Sequence, residues 1–280
     1  MGIFRFILCF IKCKCVPLWH HICRKYIESD KNRMSMNYNE LNFDAMTREQ
    51  GLSMSTAFPA LMRKVYVWMA LALVITGATA YGVATSPGVM MTLYSNQLLF
   101  WGLIIAEFAL VIGITAAINR LSLTTATLMF ILYSVINGAV LSSIFLIYTM
   151  SSIASVFFIT AGTFSVMALI GYTTKTDLTS MGKILFMALI GIIIATVVNI
   201  FLKSSGLEMI VSYLGVLIFV GLTAYDSQKI KHMLQMAPDA GEGAQKLALL
   251  GALTLYLDFV NLFIYLLRIF GRRDSFGFTA

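Results

Sequence analysis

Apolar residues gather in seven long runs, at roughly 65–85, 98–117, 123–148, 152–173, 184–203, 208–228 and 247–270, and the stretches between them are short. A bilayer core of about 30 Å calls for about 20 apolar helical residues, so each run is long enough to cross. Pro59 is expected just ahead of the first run, Pro87 and Gly88 follow it, and Pro238 falls in the longest loop, all at points of punctuation. No repeat of soluble type is visible, although a three-plus-three duplication before a seventh helix is conceivable. The pattern predicts an all-α integral membrane protein with seven transmembrane helices. It divides the chain into a tail at 1–54, a seven-helix domain at 55–273 and a short tail at 274–280.

Composition agrees: 59% of residues are hydrophobic and 12% charged, against about a quarter charged in soluble chains. Charge changes the picture in one place. Residues 1–35 hold seven basic side chains against Glu28 and Asp30, which leaves +5 of the chain's +7 in the tail. The basic balance is therefore no nucleic-acid surface. Cys9, Cys13, Cys15 and Cys23 lie in the same tail with His20 and His21, without standard metal-ligand spacing. The tail lacks a small-residue cleavage site, and its abrupt composition suggests that translation begins at Met34 or Met36.

Arg63, Lys64, Arg120, Lys175, Lys183, Lys229, Lys231 and Lys246 all fall on one side of a seven-span arrangement, and the alternate loops are nearly free of charge. By the positive-inside rule the N-terminus is cytoplasmic. The cluster Arg268, Arg272 and Arg273 at the far end disagrees. Either the last run crosses completely, or it re-enters and returns.

Asp258 stands in the middle of the last run, LALLGALTLYLDFVNLFIYLLRIFG. A carboxylate at mid-bilayer costs roughly 2.5–3.5 kcal/mol on insertion scales, so it marks a functional site by default. Sidedness permits a cluster with Asp226 and with Arg120 in the cytoplasmic half. Gly251, Thr254, Asp258, Asn261, Tyr265 and Arg268 recur at intervals of 3, 4, 3, 4 and 3, which makes one seam of the last helix. That seam serves helix packing or an ion path. Glu107, within LIIAEFALVIG, has Arg268 as its plausible long-reach partner. Asn137 and Asn199 suit packing hydrogen bonds, Lys175 and Asp177 a capped loop, and His232 an interfacial position. Two acids held together titrate as a pair, and could offer a weak, transient calcium site at Asp226 and Asp258. No Walker loop, dinucleotide fingerprint, HExxH or GxSxG occurs, and neither acid has a GxGD-like setting, so no enzymatic activity and no cofactor is expected.

The stretches AYDSQKIKH and LTLYLDFVNLFIYLLRIFG, with Asn137–Gly138 in the third run, resemble the Bax inhibitor-1 family over about residues 55–273, especially its bacterial calcium-leak branch. That resemblance implies a last helix placed centrally and wrapped by the other six. It also implies a pH-sensitive passive calcium leak, in which Asp226 and Asp258 share a proton and Arg120 latches the closed state. The alternatives are a proton/calcium exchanger and a non-transporting regulator of a membrane protease. The expected setting is a bacterial inner membrane, with the bilayer, calcium and protons as partners, a membrane protease as a further one in some relatives, and no nucleic acid.

Overall fold

A computed structural model describes residues 40–237 and 241–272, with side chains from Ala57 onward. The tail cysteines and histidines, the alternative start at Met34 or Met36, Pro238, Arg273 and the segment 274–280 lie outside the described residues. Among the described residues there are nine helices and no strand. They are α1 (Glu40–Ala84), α2 (Pro87–Ser95), α3 (Gln97–Ala117), α4 (Leu123–Leu141), α5 (Ile144–Ile147), α6 (Met150–Thr173), α7 (Thr179–Leu202), α8 (Ser205–Gln235) and α9 (Glu242–Phe270). Seven segments are long and apolar enough to cross a membrane, the first being Ala57–Ala84 within α1.

Boundaries depart from the hydropathy reading where polar residues continue a helix beyond its apolar stretch. α8 runs to Gln235 through AYDSQKIKHMLQ, and α9 begins at Glu242 rather than near 247. Pro59 lies inside α1, not ahead of a helix; a proline there removes one backbone hydrogen bond, and the helix continues past it. The third run is broken at Ser142 and Ser143 into α4 and the single turn α5. The nine-residue α2, too short to cross, fills the uncharged loop after the first span. Asn96, Ser122, Thr149 and Ser204 start helices α3, α4, α6 and α8, each accepting a backbone N–H with its side-chain oxygen. That is the ordinary N-cap device for otherwise orphaned donors.

α9 is the axis of the bundle. Of its most apolar window 89% is buried, against 22–50% for the other spans. It packs on α8, α1, α6 and α4; α3 and α7 stand farther out, against α4 and α8 respectively. Those outer helices keep large apolar side chains such as Ile105, Ile184 and Ile194 exposed. In a bilayer such side chains face lipid, which is as apolar as they are. At 29 residues α9 is about 43 Å long, more than the hydrocarbon core, and it is unbroken. The last run is thus one continuous helix long enough to cross, with no break at which it could re-enter and return. Its far end is tied down by backbone: Thr149 N–H donates to the Arg272 carbonyl at 3.2 Å, and Arg272 N–H to Ser152 Oγ at 2.9 Å.

α6 and α8 cross with almost no space between their backbones. A Cβ on Gly171 would collide with the carbonyl of Ala224. Beside the crossing, Ser227 Oγ donates to the Ala168 carbonyl at 2.9 Å and lies 3.1 Å from Tyr66 Oη. Small residues permit this approach, and the approach brings the hydroxyl within reach of a neighbouring backbone.

Candidate functional site

Asp226 and Asp258 are both buried, 2% and 0% exposed. Their relation follows from the contacts that flank them. The rings of Phe219 and Tyr265 stack at 5.6 Å, and a Cβ on Gly251 would lie 3.0 Å from Ile230. On α8, Phe219, Asp226 and Ile230 are spaced by 7 and 4 residues; on α9, Gly251, Asp258 and Tyr265 are spaced by 7 and 7. Both spacings hold a set of residues on one helix face. The two acids thus occupy facing seams of antiparallel helices, each seven residues from its member of the Phe219–Tyr265 stack. They lie at the same level, well inside the bundle.

The seam read from sequence is the face that α9 turns to α8. Gly251 meets Ile230, Tyr265 meets Gly215 and Phe219, and the Arg268 guanidinium pairs with Glu208. Its smaller polar members return to their own helix. Thr254 Oγ1 donates to the Leu250 carbonyl at 3.0 Å, and Asn261 Nδ2 to the Leu257 carbonyl at 2.7 Å.

Two expected pairings are corrected. Arg268 meets Glu208 on α8, not Glu107, because it lies on the α8-facing seam while α3 packs on α4 at the other side of the axis. Glu208 lies in the first turn of α8, and its pairing neutralises one of the three arginines at the far end of the last helix. Removing the Glu208 carboxylate strands a guanidinium whose side chain is only 7% exposed, whereas Glu208 itself is 38% exposed. We expect Glu208→Ala to cost about 1–3 kcal/mol, less than the 3–5 of a fully buried pair. Adding Arg268→Met should recover most of the loss, and thermal unfolding in detergent checks both.

Arg120 is exposed in the turn after α3 and makes no ion pair with another described residue. The same turn is at the level of the first residue of α9, since Leu123 N–H donates to the Glu242 carboxylate at 3.0 Å. Asp258 comes 16 residues later, about 24 Å along the axis. The acids therefore lie deeper than the hydropathy boundaries implied, and one arginine side chain does not span that distance.

Glu107, fully buried, is one end of a polar chain through four helices. Asn137 Nδ2 lies 3.0 Å from Glu107 Oε1, and Tyr256 Oη lies 2.9 Å from Asn137 Oδ1. Tyr256 Oη and Thr76 Oγ1 are 2.7 Å apart, and Thr76 Oγ1 is 3.0 Å from the Ser134 carbonyl. Glu107 Oε2 has no hydrogen-bond partner among the described residues. Gly138 makes the chain possible: a Cβ there would lie 2.5 Å from the Thr76 carbonyl, so only glycine lets α1 come close enough. Of these residues sequence reasoning singled out Glu107 and Asn137. Thr76 and Tyr256 went unremarked, because a threonine and a tyrosine in a membrane span carry no signal until the crossing is known.

The peripheral candidates have local duties. Asn199 Oδ1 accepts the Ser204 N–H at 3.1 Å, in the turn where Lys203 takes a left-handed φ of 50°. Asp177 Oδ1 accepts the Thr179 N–H at 2.9 Å, and the Thr179 hydroxyl beside it holds the carboxyl below the usual aspartate range. His232 is exposed in the last turn of α8. Among the described residues no three His, Cys, Asp or Glu side chains gather as a metal cluster. Two carboxylates suit a passing, hydrated hard cation better than a tightly held one.

A family model described as inhibitor of apoptosis-promoting Bax1 matches residues 59–275. The chain is 53% identical over 213 residues to the inner membrane protein YbhL of Escherichia coli K12, covering 76% of this chain and 91% of that one. It is 49% identical over 214 residues to an uncharacterized protein of Borreliella burgdorferi, with 76% and 92% covered. It is also 44% identical over 214 residues to the uncharacterized protein RP147 of Rickettsia prowazekii, with 76% and 89% covered.

Proposed function

The chain belongs to the Bax inhibitor-1 family, and from that premise we propose that this integral, multi-pass membrane protein is a pH-sensitive passive leak for calcium or a similar cation. The observation that carries the reading is the pair of buried acids, Asp226 and Asp258, on facing seams of α8 and the central helix. Buried acids at this depth are retained where they bind protons or ions. Held at one level, the two carboxyl groups act on each other, and a change in the charge they carry together alters how α8 and α9 attract each other. That difference in attraction between two protonation states is what shifts a closed–open population. The gate in this reading is the two acids alone, with Arg120 outside direct reach. We place the protein in the inner membrane, as the name of its Escherichia coli relative says of that protein, with the N-terminus on the cytoplasmic side by positive-inside bias.

Calcium entry into proteoliposomes, with and without an imposed pH gradient, tests the proposal. A leak gives non-saturating flux that responds to pH itself and needs no gradient. Flux that saturates and moves protons in fixed ratio to calcium would replace it with an exchanger. No flux at any pH would replace it with a non-transporting regulator of another membrane protein, such as a protease.

A further inference from the structure

The chain from Glu107 to the Ser134 carbonyl contains four close polar contacts, and each needs one hydrogen. With the Asn137 amide donating to Glu107, the hydroxyl of Tyr256 must donate to Asn137 Oδ1 and that of Thr76 to Ser134. Tyr256 and Thr76 have one hydroxyl hydrogen each. Nothing is then left for the 2.7 Å contact between their oxygens. Three hydrogens serve four contacts, in a place where all the participants but Ser134's carbonyl are buried side chains.

Reversing the amide removes the shortage, and amide orientation is an assignment made from the network around it. Asn137 then turns its oxygen to Glu107 and its NH2 to Tyr256; Tyr256 donates to Thr76, and Thr76 to Ser134. The fourth hydrogen has one source, a Glu107 carboxylic acid donating to Asn137. The surroundings suit a neutral acid. α3 packs on α2 and α4, which carry no charged side chain. The titratable groups those helices and α9 bring near are Tyr94, Tyr133 and Tyr256. Asp258, two residues from Tyr256, points from another face of α9, and Arg268 is taken by Glu208.

We infer that Glu107 is a proton-binding site separate from the aspartate pair, and that its proton sets the direction of a hydrogen-bond chain joining α3, α4, α9 and α1. Loss of the proton turns Glu107 from donor to acceptor. Asn137 rotates its NH2 back, and the Tyr256 hydrogen follows to Asn137. Thr76 must then choose between Tyr256 and the Ser134 carbonyl, so one tie of α1, to α9 or to α4, is lost. The inference does not rest on whether the protein conducts ions.

Infrared spectra of the purified protein in lipid at neutral pH test it. Glu107→Gln keeps the side-chain shape and supplies a permanent hydrogen through its own amide. The difference spectrum should show loss of a carboxylic C=O band, retained in the Asp226→Asn/Asp258→Asn protein. Tyr256→Phe, at the next link but one, should move that band without removing it. Wild-type thermal stability should fall as pH rises through the site, because the ionised form lacks a hydrogen, and the Glu107→Gln profile should lack that fall. Loss of a carboxylate band in Glu107→Gln would overturn the proposal, and a band unmoved by Tyr256→Phe would overturn the coupling along the chain.

Discussion

Gly171→Ala is expected to destabilise the bundle by about 2–3 kcal/mol, the upper part of the range for overpacking a tight interior. The added methyl meets the backbone carbonyl of Ala224, not a side chain that could turn aside. Relief requires α6 and α8 to separate. Alanine gains about 1 kcal/mol over glycine in intrinsic helix propensity, which is too little to offset the clash. The consequence reaches the candidate site, because the crossing lies between Ala224 and Ser227 and Asp226 sits inside that interval. Denaturant unfolding in mixed micelles checks the stability. A Gly171→Ala protein as stable as wild type would mean that the two helices do not cross this closely.

Asp258→Asn and Asp226→Asn are each expected to flatten the pH response of calcium flux, from about tenfold or more to less than about twofold. A tenfold change corresponds to about 1.4 kcal/mol between two states, and a carboxyl that gains or loses a proton in the interior of α8 and α9 supplies at least that. Asparagine keeps the shape of aspartate and cannot titrate, so the substitution separates protonation from packing. Arg120→Ala is the contrasting case. With its exposed side chain about 24 Å along the axis from Asp258, it should change the flux little and leave its pH response in place. Proteoliposome flux measured over a pH series decides both. A steep response surviving in both asparagine variants would remove the aspartate pair from the mechanism.

The seven crossings were legible because each is a long apolar run, and the central place of the last helix through the resemblance its motif carries, which the polar seam accompanied. Less legible was depth. The polar ends of α8 and α9, KIKHMLQ and EGAQK, read as loop by hydropathy while folding as helix. That shift of a few residues at each end moved the acids inward and Arg120 out of reach. Pairing was harder still. Glu107 and Arg268 were matched as opposite charges in one bundle, but which side of the axis each occupies depends on packing, and Glu208 was nearer to hand. The chain through Thr76 and Tyr256 depends on an approach at Gly138 that no local pattern encodes.

The two ends of α9 are held in unlike ways. At Arg272 the helix is fastened by backbone to the start of α6. At the other end Glu242 and Gln245 reach other elements through exposed contacts with the Leu123 N–H and Lys64, the kind that salt weakens. The backbone-held end at Arg272 is the natural reference point for any tilt of α9. A tilt of 5° about Arg272 would carry Asp258, about 21 Å away, through roughly 2 Å, and Glu242, about 45 Å away, through roughly 4 Å. The shorter stroke is enough to make or break a carboxyl contact, while the longer one is delivered to the connecting loops on the opposite face of the membrane.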